Sequence, residues 1–161
     1  MMASRRIAVV TGATSGIGRA TALRLAGNGF HVIACGRNAE RGAWTVEAIE
    51  RAGGSARFHA FDICDEGGWQ ALMAQVADDH GRIDVLINSA GAFFSKPLPD
   101  TSVEEFRELW MLDVESVVLG TKWGLRTMAE TRSAGSIVNV SSRAGLIGLE
   151  DCAAYCAAKA A

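Results

Sequence analysis

The sequence predicts an α/β chain in which a doubly wound parallel sheet carries helices on both faces. Three observations point there. Short β-rich apolar runs alternate with longer stretches of helical periodicity. The runs are nearly continuous in apolar residues rather than alternating, as strands buried on both faces must be. The runs also stop on residues nearly all small or polar: Thr11-Gly12, Cys35-Gly36-Arg37, Phe61-Asp62, Asn88-Ser89-Ala90-Gly91 and Ser141-Ser142. Ligands of such sheets bind beyond the carboxyl ends of the strands, where strand order reverses, and a crevice there needs residues of this kind.

The elements follow in order. Residues 6–12 ("RIAVVTG") read as a buried strand, and 16–29 as a helix with Ile17, Ala20, Leu23 and Leu25 at helical spacing, closing on glycine. Residues 31–36 form a second strand, and 39–54 a helix ending in two glycines. Residues 56–62 are a third strand. The helix over 66–81 places Trp69, Leu72, Met73 and Val76 on one face. Residues 82–91 are a strand running into a loop, followed by one long helix over about 102–130. "SIVNVSS" (136–142) is the fifth strand, and a last helix begins near Asp151. Right-handed crossovers make this a Rossmann-like sheet of order 3-2-1-4-5.

The length, 161 residues, fits a single domain over 1–161. A net charge of -2 argues against a nucleic-acid partner, which would call for a basic stripe. Cys35, Cys64, Cys152 and Cys156 show neither a disulfide nor a zinc spacing, so no metal is expected. Cys152 and Cys156 could share a helix face. The N-terminal apolar run meets glycines too early for a leader or a membrane span, so a cytoplasmic setting without membrane contact is expected.

"TGATSGIG" places Gly12, Gly16 and Gly18 between a strand and a helix. Glycine permits a tight turn and lets backbone N–H groups approach a phosphate, and the helix N-terminus adds partial positive charge. Adenosine ribose recognition falls about 20 residues later in such folds. Here "CGRNAER" offers Arg37 and no carboxylate before Glu40. A carboxylate would repel a ribose 2′-phosphate, whereas a guanidinium pairs with it in two-pronged fashion. The expected cofactor is therefore NADP(H) rather than NAD(H), with Arg19 and Arg41 as unplaced helpers.

Taken in order, Thr11-Gly12-x-x-x-Gly16-x-Gly18, Asp62, Asn88-Ser89-Ala90-Gly91 and Ser142 with Tyr155-x-x-x-Lys159 make the chain resemble the classical short-chain dehydrogenases/reductases. The resemblance runs from the first strand to the last residue. It implies that Gly12, Thr14, Ser15, Gly16, Ile17 and Gly18 hold the cofactor phosphates. It implies that Asp62 bonds the adenine amino group beside Ile63, although an N-cap for the following helix would explain Asp62 as well. It puts Asn88, Ala90 and Gly91 along the cofactor cleft, with Ser89 replacing the family's second asparagine.

The chemistry implied is ketone–alcohol interconversion on a small carbonyl or alcohol substrate, in the manner of 3-oxoacyl reductases or of hydroxysteroid and sugar dehydrogenases. An alkoxide developing on the substrate oxygen needs a proton donor and a second group to fix it. A phenol alone is too weak an acid for this at neutral pH. A lysine one helical turn away shares its face and stabilises the phenolate. By resemblance Tyr155 is the acid/base, Lys159 also holds the nicotinamide ribose, and Ser142 bonds the substrate carbonyl. Asp113 stands where the family has an asparagine that helps hold a proton-relaying water. Its charge is expected either to offset part of the lysine's field and so slow or pH-shift catalysis, or to be tolerated without effect.

The family carries two further strands and a substrate-covering loop after the Tyr-x-x-x-Lys helix. The chain therefore reads as cut short, with "SIVNVSS" left as an apolar edge and the substrate unnamed. An inactive cofactor-binding fragment or a scaffold is the alternative. By resemblance, homodimers and homotetramers are common in the family, and Val114, Val117, Val118 and Trp123 could serve that contact, although core packing explains them equally well.

Overall fold

A computed structural model describes residues 5–161. Residues 1–4, part of the stretch read as too short for a leader, lie outside the described residues. Five parallel strands, β1 (Ile7–Thr11), β2 (His31–Gly36), β3 (Ser55–Ala60), β4 (Val85–Asn88) and β5 (Ser136–Asn139), form one sheet of order β3-β2-β1-β4-β5. Five of the six helices take Gly16–Gly27 (α1), Ala39–Arg51 (α2), Glu66–His80 (α3), Ser116–Glu130 (α5) and Ala153–Ala160 (α6). The helix over Val103–Trp110 (α4) precedes α5.

Successive residues of β1 serve two different cores. Ile7 and Val9 face Ile33, Trp69, Leu72, Met73, Val76 and Leu86 beneath α3 and α5. Ala8 and Val10 face Ala22, Ala26, Ala34 and Ile49 beneath α1 and α2. The four apolar residues read onto one face of α3 are all buried there. Trp69 is also satisfied as a donor, its Nε1 bonding the Ile63 carbonyl at 2.8 Å.

Several boundaries and faces differ from the sequence reading. The helix α1 buries Gly18, Ala22 and Ala26, while Ile17 is 66% exposed and Ala20 also faces solvent. Bulk pointed to the wrong stripe, because the buried one is made of residues small enough to bring α1 against β1. A Cβ on Gly18 would collide with the Gly12 carbonyl. The cap of α3 is Asp65, which accepts from the N–H groups of Gly67 and Gly68. Asp62 instead closes the turn before it, accepting from the Cys64 N–H at 3.0 Å.

The long helix starts where expected, at a capping box of Ser102 and Glu105. It is broken by a π-turn over Met111–Glu115 that separates α4 from α5. The fifth strand ends at Asn139, and Ser142 begins a short 3₁₀ turn beyond it. The last helix starts at Ala153, behind an N-cap at Cys152 and close to where the sequence puts it. Trp123 packs on the α3 side of the core, so it leaves the set of outward-facing residues, whereas Val118 is 61% exposed. No helix among the described residues is long and apolar enough to cross a membrane.

Candidate active site

The first wall of the site is the turn between β1 and α1. Gly12 has φ +67, and a Cβ there would meet the Ala90 Cα at 2.9 Å, so only glycine lets the turn lie against the β4 loop. Ser15 stands at the N-cap of α1 without bonding its own helix, and the first turn of α1 contains no acidic residue. Free N–H groups, an uncommitted hydroxyl and the absence of negative charge suit an anion. Arg37 follows β2 directly and lines the same cleft. Arg19 and Arg41 do not line it.

The second wall is the loop after β4. Thr11 is buried, and its Oγ1 accepts from the N–H groups of Ser89 at 3.0 Å and Ala90 at 3.1 Å while donating to the Ile87 carbonyl. One hydroxyl thus joins the ends of β1 and β4. Asn88 ties the next strand, its Nδ2 donating to the Asn139 Oδ1 at 2.9 Å. It does not line the cleft, whereas Ala90 and Gly91 do.

The reacting end is assembled by α6 and the π-turn. Tyr155 and Lys159 share one face of α6, with the lysine Nζ 5.8 Å from the centre of the tyrosine ring. The Phe93 ring meets the Tyr155 ring edge-on at 5.1 Å between centres. A π-turn displaces side chains relative to a regular helix and is common at functional sites. Here it puts Asp113 inside: Oδ1 accepts from the Ala92 N–H at 2.7 Å. Its Oδ2 lies 3.1 Å from the Lys159 Nζ as an ion-pair contact rather than an aligned hydrogen bond. The side chains of Lys159 and Asp113 are only 10% and 0% exposed. A Cβ on Gly91 would meet the Asp113 Oδ1 at 2.8 Å and the Lys159 Nζ at 3.2 Å.

Ser142 is half-buried beside this end, its Oγ accepting from the Ala144 N–H at 3.1 Å. That bond uses a lone pair and leaves the O–H free to donate. Ser141, not Ser142, borders the cleft, and its Oγ donates to the Lys159 carbonyl at 2.8 Å.

These walls enclose one open cleft of about 540 Å³, which passes from the Gly12–Gly18 turn to Tyr155 and Lys159. Of the expected site residues, Thr14, Ser15, Gly16, Ile17, Arg37, Ile63, Ala90, Gly91, Tyr155 and Lys159 border it together with Gly12 and Gly18. Asp62, Asn88, Asp113 and Ser142 stand outside its walls. Sequence reasoning did not single out Phe61, Phe93, Leu112 or Val140 as site residues, yet all four line it. The strand ends and loops of Phe61, Phe93 and Val140 were legible, but which side chains turn inward was not, and the π-turn that presents Leu112 was not legible either.

Two of the thiols, Cys35 and Cys64, are poor nucleophiles. Burial pushes Cys35 up to about 12, and burial together with the neighbouring Asp62 carboxylate pushes Cys64 up to about 11. Among the described residues no group of three metal-ligating side chains comes together.

Residues 6–161 match the short chain dehydrogenase family. The chain belongs to that family. A 3beta-hydroxysteroid dehydrogenase of Mediterraneibacter gnavus is 40% identical over 155 residues, 96% of this chain and 55% of the relative. An NADP-dependent (R)-specific alcohol dehydrogenase of Lentilactobacillus kefiri is 35% identical, over 97% of this chain and 62% of the relative. Among solved structures, a variant of actinorhodin polyketide ketoreductase with NADPH superposes with a TM-score of 0.93 at 33% identity, over 99% of this chain and 62% of that one. The chain thus spans little more than half the length of these short chain dehydrogenases. The region it shares with them contains the glycine turn, the β4 loop and the Tyr155–Lys159 helix.

Proposed function

We propose that the protein is an NADP(H)-dependent oxidoreductase interconverting a ketone and a secondary alcohol. The observation that carries the reading is the single cleft joining the glycine turn and Arg37 at one end to Tyr155 and Lys159 at the other. The glycine turn suits a dinucleotide, because Gly12 and Gly18 let its backbone pack closely on the β4 loop and on the start of α1, and Gly16 leaves open space on the cleft side. The phosphates would lie against the N-terminus of α1, with Thr14 and Ser15 beside them and Arg37 on a ribose 2′-phosphate. The relative from Lentilactobacillus kefiri is named as NADP-dependent, and a second neighbour is a short-chain oxidoreductase in complex with NADP, with a TM-score of 0.88 at 35% identity.

The cofactor supplies or takes the hydride. The chain's part is to manage the proton and the oxygen. Tyr155 gives its hydroxyl proton to the developing alkoxide in reduction and takes it back in oxidation. Lys159, its charge offset in part by Asp113, stabilises the phenolate left behind and holds the nicotinamide ribose. Ser142, with its donor hydrogen free, fixes the substrate oxygen. Phe93, 68% exposed and set against Tyr155, gives the substrate side an apolar border. This suits an uncharged secondary alcohol, and relatives named for hydroxysteroids and for cyclopentanol turn over that class.

Assembly as a homodimer or homotetramer is part of the proposal. A hollow of about 470 Å³ beside α5 and α6, lined by Val114, Val117, Val118 and Leu125, supports it.

The test is oxidation of a panel of alicyclic and open-chain secondary alcohols, followed as NADPH formation. Tyr155→Phe is expected to lower kcat by about 10²–10⁴-fold with dinucleotide affinity retained. Turnover that survives Tyr155→Phe contradicts the mechanism.

A further inference from the structure

We propose that Asp113 sets the relative affinity of the site for the two redox forms of its dinucleotide, by cancelling the charge of Lys159 at the nicotinamide end. This rests on the NADP(H) reading above. Oxidised and reduced dinucleotide differ at one place: the oxidised nicotinamide ring has a positive charge and the reduced ring has none. A charge beside that ring therefore acts on one form and hardly on the other, whereas phosphate and adenosine contacts are common to both.

The residues bordering the cleft include two cations, Arg37 and Lys159, and Arg37 stands at the opposite end. A lone Lys159 ammonium would repel the oxidised ring and leave the reduced ring unaffected. Lys159 is not alone. Asp113 lies 3.1 Å from its Nζ with a side chain wholly buried, where solvent screens the pair little. The carboxylate cannot swing away, because Oδ1 is held by the Ala92 N–H at 2.7 Å and the π-turn over Met111–Glu115 fixes its backbone. The reacting end is therefore close to neutral, and the penalty on the oxidised ring is removed. An amide at this position would keep the Ala92 hydrogen bond without cancelling the charge. By linkage, the protein holds oxidised dinucleotide better, relative to the reduced form, than an amide version would.

The experiment measures dissociation constants for NADP+ and NADPH separately, by titration without substrate, in the wild-type protein, Asp113→Asn and the double variant Asp113→Asn with Lys159→Gln. The quantity read is the ratio of the NADP+ constant to the NADPH constant. Asp113→Asn is expected to raise this ratio about tenfold, the scale of one unit charge in a partly buried site. The double variant is expected to return it towards the wild-type value, because both charges are then gone. A purely structural role would weaken both forms alike and leave the ratio unchanged in all three proteins, which overturns the proposal. So does a raised ratio that removal of Lys159 fails to reverse. Asp113→Ser, equally uncharged, gives the same reading where the amide is not tolerated. Failure of the wild-type protein to bind either form would instead overturn the cofactor reading, and the inference with it.

Discussion

Gly91 shows how single residues make this site. It has no side chain, and in its place sits the Asp113–Lys159 pair. Gly91→Ala must push that pair apart or shift the β4 loop. Overpacking of this kind destabilises by about 1–3 kcal/mol. Expected is a lower melting temperature together with a fall in kcat, read by thermal denaturation and steady-state kinetics. A variant with both unchanged would show that the contact yields freely. The residues legible in the sequence are those whose chemistry depends on local spacing. Gly12, Gly16 and Gly18 fall in one turn, Arg37 ends a strand, and Tyr155 and Lys159 are a helical turn apart. Thr11 was visible as a strand end and as the first residue of the glycine motif, but not as the tie between β1 and β4. Its role comes from bonding residues nearly 80 positions away, a contact that strand order creates and local sequence does not show.

At the scale of elements, strands and helices were legible because periodicity reflects burial. The π-turn was not, because Met111–Glu115 has the composition of an ordinary helix. What marks it is tertiary: Asp113 turned inward onto Ala92 and Lys159. The far edge of the sheet holds another such feature. His31 at the start of β2 meets His80 at the end of α3, their rings 5.1 Å apart. Burial and the Arg57 guanidinium hold His80 below the ordinary imidazole value of 6.5. Burial, His80 and then Arg57 and Arg5 do the same to His31, and burial with Arg57 does so to His59. These rings fold neutral. Their contribution to stability is complete above the ordinary value of 6.5, and it is lost as pH falls below that towards the lower folded values. Melting temperature is expected to drop between about pH 7.5 and 5. His80→Gln should flatten that drop by removing one ring and relieving His31. An identical slope in wild type and variant would exclude the cluster as its source.

For the whole molecule, the order β3-β2-β1-β4-β5 brings the two halves of the site together. The chain leaves β1 for one face of the sheet and returns through β4 on the other side of it. The glycine turn and the β4 loop therefore flank the same crevice, at the point where strand order reverses. That architecture was legible, because continuous apolar strands between helices admit few topologies. The packing of each helix was less so, and α1 is the example: its buried stripe is glycine and alanine, which hydrophobicity alone does not pick out.

The central claim is that this crevice is built for NADP(H), with Arg37 reading the 2′-phosphate. The direct measurement is the affinity of the protein for NADPH and for NADH, in the wild type and in Arg37→Asp. A wild-type preference for NADPH of about tenfold or more is expected, abolished or reversed in the variant as NADPH affinity falls and NADH affinity holds or rises. Equal wild-type affinities, or a preference for NADPH that persists in Arg37→Asp, would contradict it.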